Sequence, residues 1–223
     1  MPLNVPAGSH ILFQGDSITD GGRDRRPHAD VNAALGHGYV YLVAARVATR
    51  APGHRWRVTN RGVGGDKVTE LAVRWQSDAL DPAPDVLSVL VGVNDAWRVV
   101  DGESCDIDAD GFRAVYDILL TRTRRALPTT RVLLCEPFCL PGGPDTDFDE
   151  ALAAQVQLRQ HAVAELAAAH HVELVRLQPV FDEALRRAPA AHWIHDGVHP
   201  TPAGHQLLAD AWVSAVAAGP PGR

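Results

Sequence analysis

The chain has 223 residues, 46% of them apolar and 22% charged, and a net charge of −6 with its 11 histidines counted neutral. That length is enough to bury a sizeable core in a single domain spanning residues 1–223, and the composition excludes collagen-like, disordered and coiled-coil classes. An acidic balance without a Lys/Arg run argues against nucleic acid or an anionic membrane as the partner, and no apolar run nears the ~20 residues of a membrane span.

The N-terminal stretch MPLNVPAGSHILFQGDS lacks a basic n-region, so no signal peptide is expected and the chain reads as cytoplasmic. His10–Gln14 is the first predicted strand, and Tyr39–Ala51 the first long helix. Trp56–Asn60 reads as strand, Lys67–Ala79 as helix and Val86–Val91 as strand. Asp110–Leu127 puts Phe112, Val115, Tyr116, Leu119 and Leu120 on one helical stripe and stops at Pro128. Arg131–Cys135 is a fourth strand, Leu152–His170 an Ala-rich helix and Val172–Leu177 a fifth strand. The last helix starts at Thr201-Pro202, a capping hydroxyl followed by proline at the first helical position, and ends before Gly219-Pro220.

The third and fourth strands are nearly continuous in apolar character, as strands covered on both faces should be. Five strands separated by helices predict a parallel sheet with right-handed crossovers, a three-layer α/β/α sandwich. No linker or repeat divides the chain, and the loop around Pro141-Gly-Gly-Pro144 is too short to separate domains. The three cysteines, Cys105, Cys135 and Cys139, are odd in number and lack metal-ligand spacing, so no disulfide framework is expected.

In an open parallel sheet, ligands bind beyond the carboxyl ends of the strands. Four clusters of small, polar or reactive residues fall at that rim: Gly15-Asp16-Ser17-Ile18, Asn60-Arg-Gly-Val-Gly-Gly-Asp66, Gly92-Val-Asn-Asp95 and Asp196-Gly-Val-His199. A lone serine after a strand is ordinarily a helix cap. Asp196 and His199 change that reading, because residues three apart on a turn lie side by side and the carboxylate can orient the imidazole. One ring nitrogen is then free to take a proton from Ser17, which is a weak nucleophile without such a base. Acyl transfer also needs donors for an oxyanion. The Ser17 amide, an amide among Gly62, Gly64 and Gly65, and the Asn94 side chain are the candidates.

Those four blocks, GDSI, NRGVGGD, GVND and DGVH, resemble in order and spacing the SGNH (GDSL-type) serine hydrolase family across essentially the whole chain. The resemblance implies a flavodoxin-like sheet, Ser17 as nucleophile and first oxyanion donor, His199 as general base and Asp196 as its orienting partner. It further implies Asn94 and, among the glycines, Gly65 as the remaining oxyanion donors, with no metal or organic cofactor. Ile18 stands where the family name has leucine, an apolar exchange that leaves the chemistry alone. The longer stretches GDSITDGGR, ALGHGYVYLV and GVNDAWR are similar to bacterial acetyl esterases of the acetylxylan esterase type. The expected activity is therefore hydrolysis of short acyl esters, acetyl on sugar hydroxyls above all. A small-molecule or oligosaccharide ester is the expected partner, and family members are often homo-oligomers.

Asp16, Trp97 and Trp193 are the candidate substrate contacts, the indoles as a sugar-stacking wall. Two other functional readings stand beside this one: an acylhydrolase of the lysophospholipase or thioesterase type, and a non-catalytic carbohydrate-binding protein on the same fold. Asp106-Ile-Asp-Ala-Asp-Gly111 opens like an EF-hand calcium loop with Asp117 at position twelve. Position twelve is usually Glu and Phe112–Leu120 already reads as helix, so acidic residues at a helix N-terminus explain the run without a metal. His195 and His199 have metal-ligand spacing, but Gly197 and Pro200 argue for a loop, and no metal is expected there.

Overall fold

The computed structural model describes residues 3–27, 29–102, 107–140 and 146–219. In chain order the elements are β1 (His10–Gly15), α1 (Ser17–Asp20), α2 (Val31–Leu35), α3 (Tyr39–Arg50), β2 (Arg57–Asn60), α4 (Val68–Trp75), β3 (Val86–Leu90) and α5 (Val93–Val100). They continue with α6 (Ala109–Ala126), β4 (Arg131–Cys135), α7 (Thr146–Ala169), β5 (Glu173–Val175), α8 (Gln178–Ala184), α9 (Ala190–Trp193) and α10 (Pro202–Ala218). The five strands form one sheet in the order β2-β1-β3-β4-β5, and every neighbouring pair is parallel.

Successive side chains on a strand point to opposite faces, so each strand feeds two cores. Ile11, Phe13, Leu133 and Cys135 face a cluster completed by Tyr39, Val40, Val43 and Val47 of α3 and by Leu208, Trp212, Val213 and Val216 of α10. Leu12, Leu87, Val89, Val132 and Leu134 face the other side, against Val68, Leu71 and Trp75 of α4, Phe112, Tyr116 and Leu119 of α6, and Val163 and Leu166 of α7. Each of these large side chains contributes roughly 1.5–3 kcal/mol by leaving water. The two most buried indoles also satisfy their polar atom: Trp75 donates to Thr123 Oγ1 at 3.0 Å, and Trp212 donates to Ser88 Oγ at 3.0 Å.

Several elements depart from the sequence expectation. The stretch 67–79 is not one regular helix: α4 ends at Trp75 and a wider π-type turn carries Gln76–Leu80. Helix α7 begins at Thr146 rather than Leu152, because the acidic, stripe-free segment before Leu152 suits a helix N-terminus by charge rather than by periodicity. β5 is only Glu173–Val175. Helix α5 follows Gly92, where the sequence predicts no helix. Proline does start the last helix: Thr201 Oγ1 accepts the Gly204 N–H at 3.3 Å, a cap of about 1 kcal/mol. The Pro141-Gly-Gly-Pro144 loop, Cys105 and Asp106 lie outside the described residues, whereas Asp108 caps α6 through the Gly111 N–H at 2.8 Å. Cys135 and Cys139 are buried free thiols, both pushed up to about 12 by burial.

Strand order reverses between β1 and β3, which sit side by side while the long helices of their crossovers, α3 and α6, cover opposite faces. That is the switch point at which a crevice opens beyond the strand ends. Ser17 follows β1 there and Asn94 follows β3.

Candidate active site

Ser17 opens α1, the short helix leaving β1, with Asp16 at the N-cap position. Its Oγ lies 2.8 Å from His199 Nε2 although the two residues are 182 positions apart. His199 Nδ1 in turn lies 2.7 Å from Asp196 Oδ2. A tight loop presents this pair. Ile194 and Pro200 form an isolated antiparallel bridge, the His195 N–H donates to His199 O at 3.1 Å, and the Leu140 N–H fastens Gly197 O at 2.9 Å. Asp196 Oδ1 accepts the amides of Val198 at 3.1 Å and His199 at 2.7 Å, an Asx-type turn that sets the imidazole beside the carboxylate. Partial burial works against the Asp196 charge, but those amides and the His199 ring outweigh it and hold the carboxyl below its ordinary value. A carboxylate ionised in this way keeps the proton on Nδ1 and leaves Nε2 as an acceptor toward Ser17.

The glycine-rich loop after β2 sits against the same serine. A Cβ at Gly62 would meet the Asp20 amide nitrogen at 2.2 Å, so only glycine lets the loop approach α1. Four of its amides already have acceptors. Gly62 donates to Asn60 Oδ1 at 2.9 Å, Val63 to Gly15 O at 3.0 Å, Gly64 to Asp20 Oδ2 at 3.3 Å and Asp66 to Val63 O at 3.2 Å. Gly65, an exposed residue at φ +84°, has an amide with no acceptor among the described residues, and so does the half-buried Ser17 at the first position of α1. Asn94 Nδ2 donates to Asp66 O at 3.1 Å, which ties the third candidate donor to the same loop.

Two residues hold this geometry: Asn60, which the sequence places in the glycine-rich cluster without a role, and Arg74, which sequence reasoning missed. Asn60 Nδ2 donates to Thr19 O, Asp20 O and Leu35 O at 2.7, 3.2 and 2.9 Å, clamping α1. Arg74, mostly buried on α4, joins β1 to the glycine loop: it donates to Gln14 Oε1 at 2.6 Å, Gly15 O at 3.0 Å, Arg61 O at 2.7 Å and Asp66 Oδ2 at 2.7 Å. A fifth acceptor, Asp78 Oδ2 at 3.1 Å, lies one turn on, but the four that join β1 to the loop come from two distant segments, so the local sequence shows only an ordinary i,i+4 ion pair. Replacing Arg74 with leucine withdraws the guanidinium from all of them, leaving Gln14 Oε1 and Gly15 O with only the Gly15 and Val63 amides. The variant should lose about 3 kcal/mol of stability, read as a lower Tm, and at least tenfold in kcat as the serine and the loop separate.

Not every expected contact faces the crevice. Asp16 is 1% exposed; its Oδ1 caps α1 by accepting the Ile18 N–H at 3.0 Å, while Oδ2 is buried without a hydrogen-bond partner. Burial pushes this carboxyl up to about 7, and a group so enclosed braces the nucleophile's helix rather than touching substrate. Trp193 is 7% exposed and belongs to the core; its Nε1 donates to Ala188 O at 3.2 Å and the Arg187 guanidinium lies 4.9 Å over its ring. An indole covered in this way offers no wall to a sugar. Trp97 is half-buried on α5, three residues after Asn94 and therefore on the same helix face. Glu136 accepts the amides of Leu177 and Gln178 at 3.0 and 3.2 Å, a capping role. Arg23 and Arg25 brace the site through Gly62 O at 2.8 Å and Asp20 Oδ2 at 2.7 Å. His205 is buried, accepts the Tyr39 N–H at 3.2 Å and is lowered to about 4, chiefly by burial.

The sequence profile described as the GDSL-like lipase/acylhydrolase family matches residues 13–207. An acetylxylan esterase from Geobacillus stearothermophilus is 30% identical over 214 residues, covering 95% of both chains. Among solved structures, a candidate GDSL-like lipase from Parabacteroides merdae superimposes with a TM-score of 0.89 at 36% identity, covering 97% of this chain and 99% of the other. An alpha/beta hydrolase enzyme from the metagenome of Lake Arreo does so with a TM-score of 0.85 at 32% identity, covering 95% and 96%. The Geobacillus esterase itself superimposes with a TM-score of 0.85 at 30% identity, covering 97% and 96%.

Proposed function

Since the chain belongs to the GDSL-like lipase/acylhydrolase family and is a carboxylic ester hydrolase, we propose that it removes acetyl groups from sugar hydroxyls, those of xylan or xylo-oligosaccharides above all, with Ser17, His199 and Asp196 as its triad. The observation that carries this reading is the unbroken chain of short contacts from Ser17 Oγ through the His199 ring to Asp196. Solved catalytic mutants of the Geobacillus esterase replace one serine, one aspartate and one histidine, the last two three positions apart as Asp196 and His199 are.

The reaction follows from the geometry. His199 Nε2 takes the Ser17 proton as Oγ attacks the ester carbonyl, and Asp196 stabilises the imidazolium that forms. Charge develops on the carbonyl oxygen, and the Ser17 and Gly65 amides and Asn94 Nδ2 are the donors assigned to it in this reading. His199 returns the proton to the departing sugar alkoxide, leaving an acetyl-serine. Water, deprotonated by the same ring, then releases acetate and restores the serine. Every proton moves through one imidazole, so no step calls for a cofactor.

Alanine at Asn94 removes one oxyanion donor and should lower kcat about 10²–10³-fold with KM little changed, as steady-state kinetics on 4-nitrophenyl acetate would read. A change confined to KM would remove Asn94 from the oxyanion hole. Substrate class is tested by acyl-chain profiling together with acetate release from acetylated xylo-oligosaccharides. A rate maximum at acetyl and release from the oligosaccharide support the reading. A maximum at long acyl chains replaces it with a lysophospholipase or thioesterase, and absence of turnover with binding retained indicates a carbohydrate-binding protein.

A further inference from the structure

The loop that carries Asp196 and His199 also carries a third donor the mechanism does not use. His195 Nε2 lies 3.4 Å from Asp196 Oδ2, on the same carboxylate oxygen that meets His199 Nδ1. The two imidazoles lie side by side, ring centroids 5.8 Å apart and planes 26° from parallel. One ligand atom from each of His195, Asp196 and His199 falls within 4.8 Å of the other two. The bridge between Ile194 and Pro200 and the His195–His199 backbone bond hold the pincer in place. All three groups reach solvent: their side chains are 61%, 39% and 40% exposed.

We propose that His195, Asp196 and His199 form an inhibitory site for a zinc-like transition-metal ion, whose occupation switches off the proposed triad. Zinc bonds of about 2.1 Å at a tetrahedral angle need ligand separations of about 3.4 Å. His195 Nε2 and Asp196 Oδ2 already stand at that spacing; His199 Nδ1 has to back away from the carboxylate by a fraction of an ångström, and the two ring nitrogens, within 4.8 Å of each other, have to close toward the same spacing. Water completes the fourth position. Two imidazoles and one carboxylate select zinc, nickel or copper over calcium and magnesium, which require mostly oxygen ligands.

The chemical consequence is specific. A metal on Nδ1 takes the lone pair of that nitrogen, so the proton held there is released to solvent and the neutral ring carries its one proton, taken from solvent, on Nε2. That N–H then donates to Ser17 Oγ and cannot accept from it, and the serine stays a neutral alcohol. Asp196 is at the same time withdrawn from His199 to the metal. The ion therefore traps the unproductive tautomer without blocking the crevice.

This inference rests on the proposed triad, and the experiment separates the two. The metal-stripped enzyme is titrated with zinc while 4-nitrophenyl acetate hydrolysis is followed, and zinc binding to Ser17→Ala is measured in parallel by calorimetry. Micromolar zinc should suppress turnover at least tenfold, EDTA should restore it, and millimolar calcium or magnesium should leave it unchanged. His195→Ala should keep its basal rate and need at least tenfold more zinc for half-inhibition, and His195→Gln should behave likewise. Calorimetry should find a site in Ser17→Ala that disappears when His195 is also replaced. Equal zinc sensitivity with and without His195, or binding that His195 does not affect, overturns the proposal. Zinc binding that depends on His195 in a protein with no esterase activity would retain the metal site and defeat the triad instead.

Discussion

Ser17→Ala should abolish ester hydrolysis, reducing turnover of 4-nitrophenyl acetate by on the order of 10⁴-fold or more while the Tm stays where it was. The expectation follows from what the side chain does and does not touch. Among the described residues its Oγ has one hydrogen-bond partner, His199 Nε2 at 2.8 Å, and the backbone that places it is held independently by the Asp16 cap, by Asn60 and by Arg74. Removing one oxygen thus deletes the nucleophile and leaves the scaffold intact. The residual rate should come from the Ser17 and Gly65 amides and Asn94, which can still polarise a bound carbonyl. Labelling by a fluorophosphonate should vanish in the same variant. Turnover within tenfold of the unmodified enzyme would show that another group attacks the ester.

Asp196→Asn is the second large effect, about 10³–10⁴-fold in kcat with KM nearly constant. The exchange preserves volume, and the side-chain carbonyl can still accept the Val198 and His199 amides that Asp196 Oδ1 accepts at 3.1 and 2.7 Å. The loop should therefore hold and the melting curve should not move. What changes is the partner of Nδ1. An amide nitrogen facing the ring donates a proton where the carboxylate accepted one, so the ring proton shifts to Nε2 and confronts Ser17 with a donor. The loss should be partly relieved at high pH, where hydroxide replaces the missing base, and the pH–rate profile of the variant checks this. A purely structural role would lower activity and Tm together at every pH.

The strands were the most legible part of the fold. Arg131–Cys135 is a strand with the bounds the sequence predicts, because the apolar run Val132–Cys135 is covered on both faces and only Arg131 at its start is polar. Helices with a strong apolar stripe, such as α6, were equally legible. The parts that escaped were decided by something other than periodicity. Helix α5 is short and starts in polar residues, α7 is extended upstream by charge, and the Gln76–Leu80 turn widens where α4 ends. In the candidate site, residue types and order were readable, including the glycine-rich loop. Asp16 and Trp193 were misjudged as substrate contacts because burial is not a local property: both stand next to reactive residues in sequence yet turn into packed surroundings.

By itself the sequence determined the alternation of strand and helix, the parallel sheet that follows from it and the four clusters of reactive residues beyond the strand ends. Those are consequences of side-chain spacing, which is local and survives in the unfolded chain. Tertiary structure alone decided that Ser17 meets His199 across 182 positions, that the Gly65 amide has no acceptor among the described residues, and that Arg74 ties the glycine-rich loop to β1. Such contacts depend on how whole elements pack and on which donors other groups have already taken. Both are set only when the two faces of the sheet are covered and water is gone from between them.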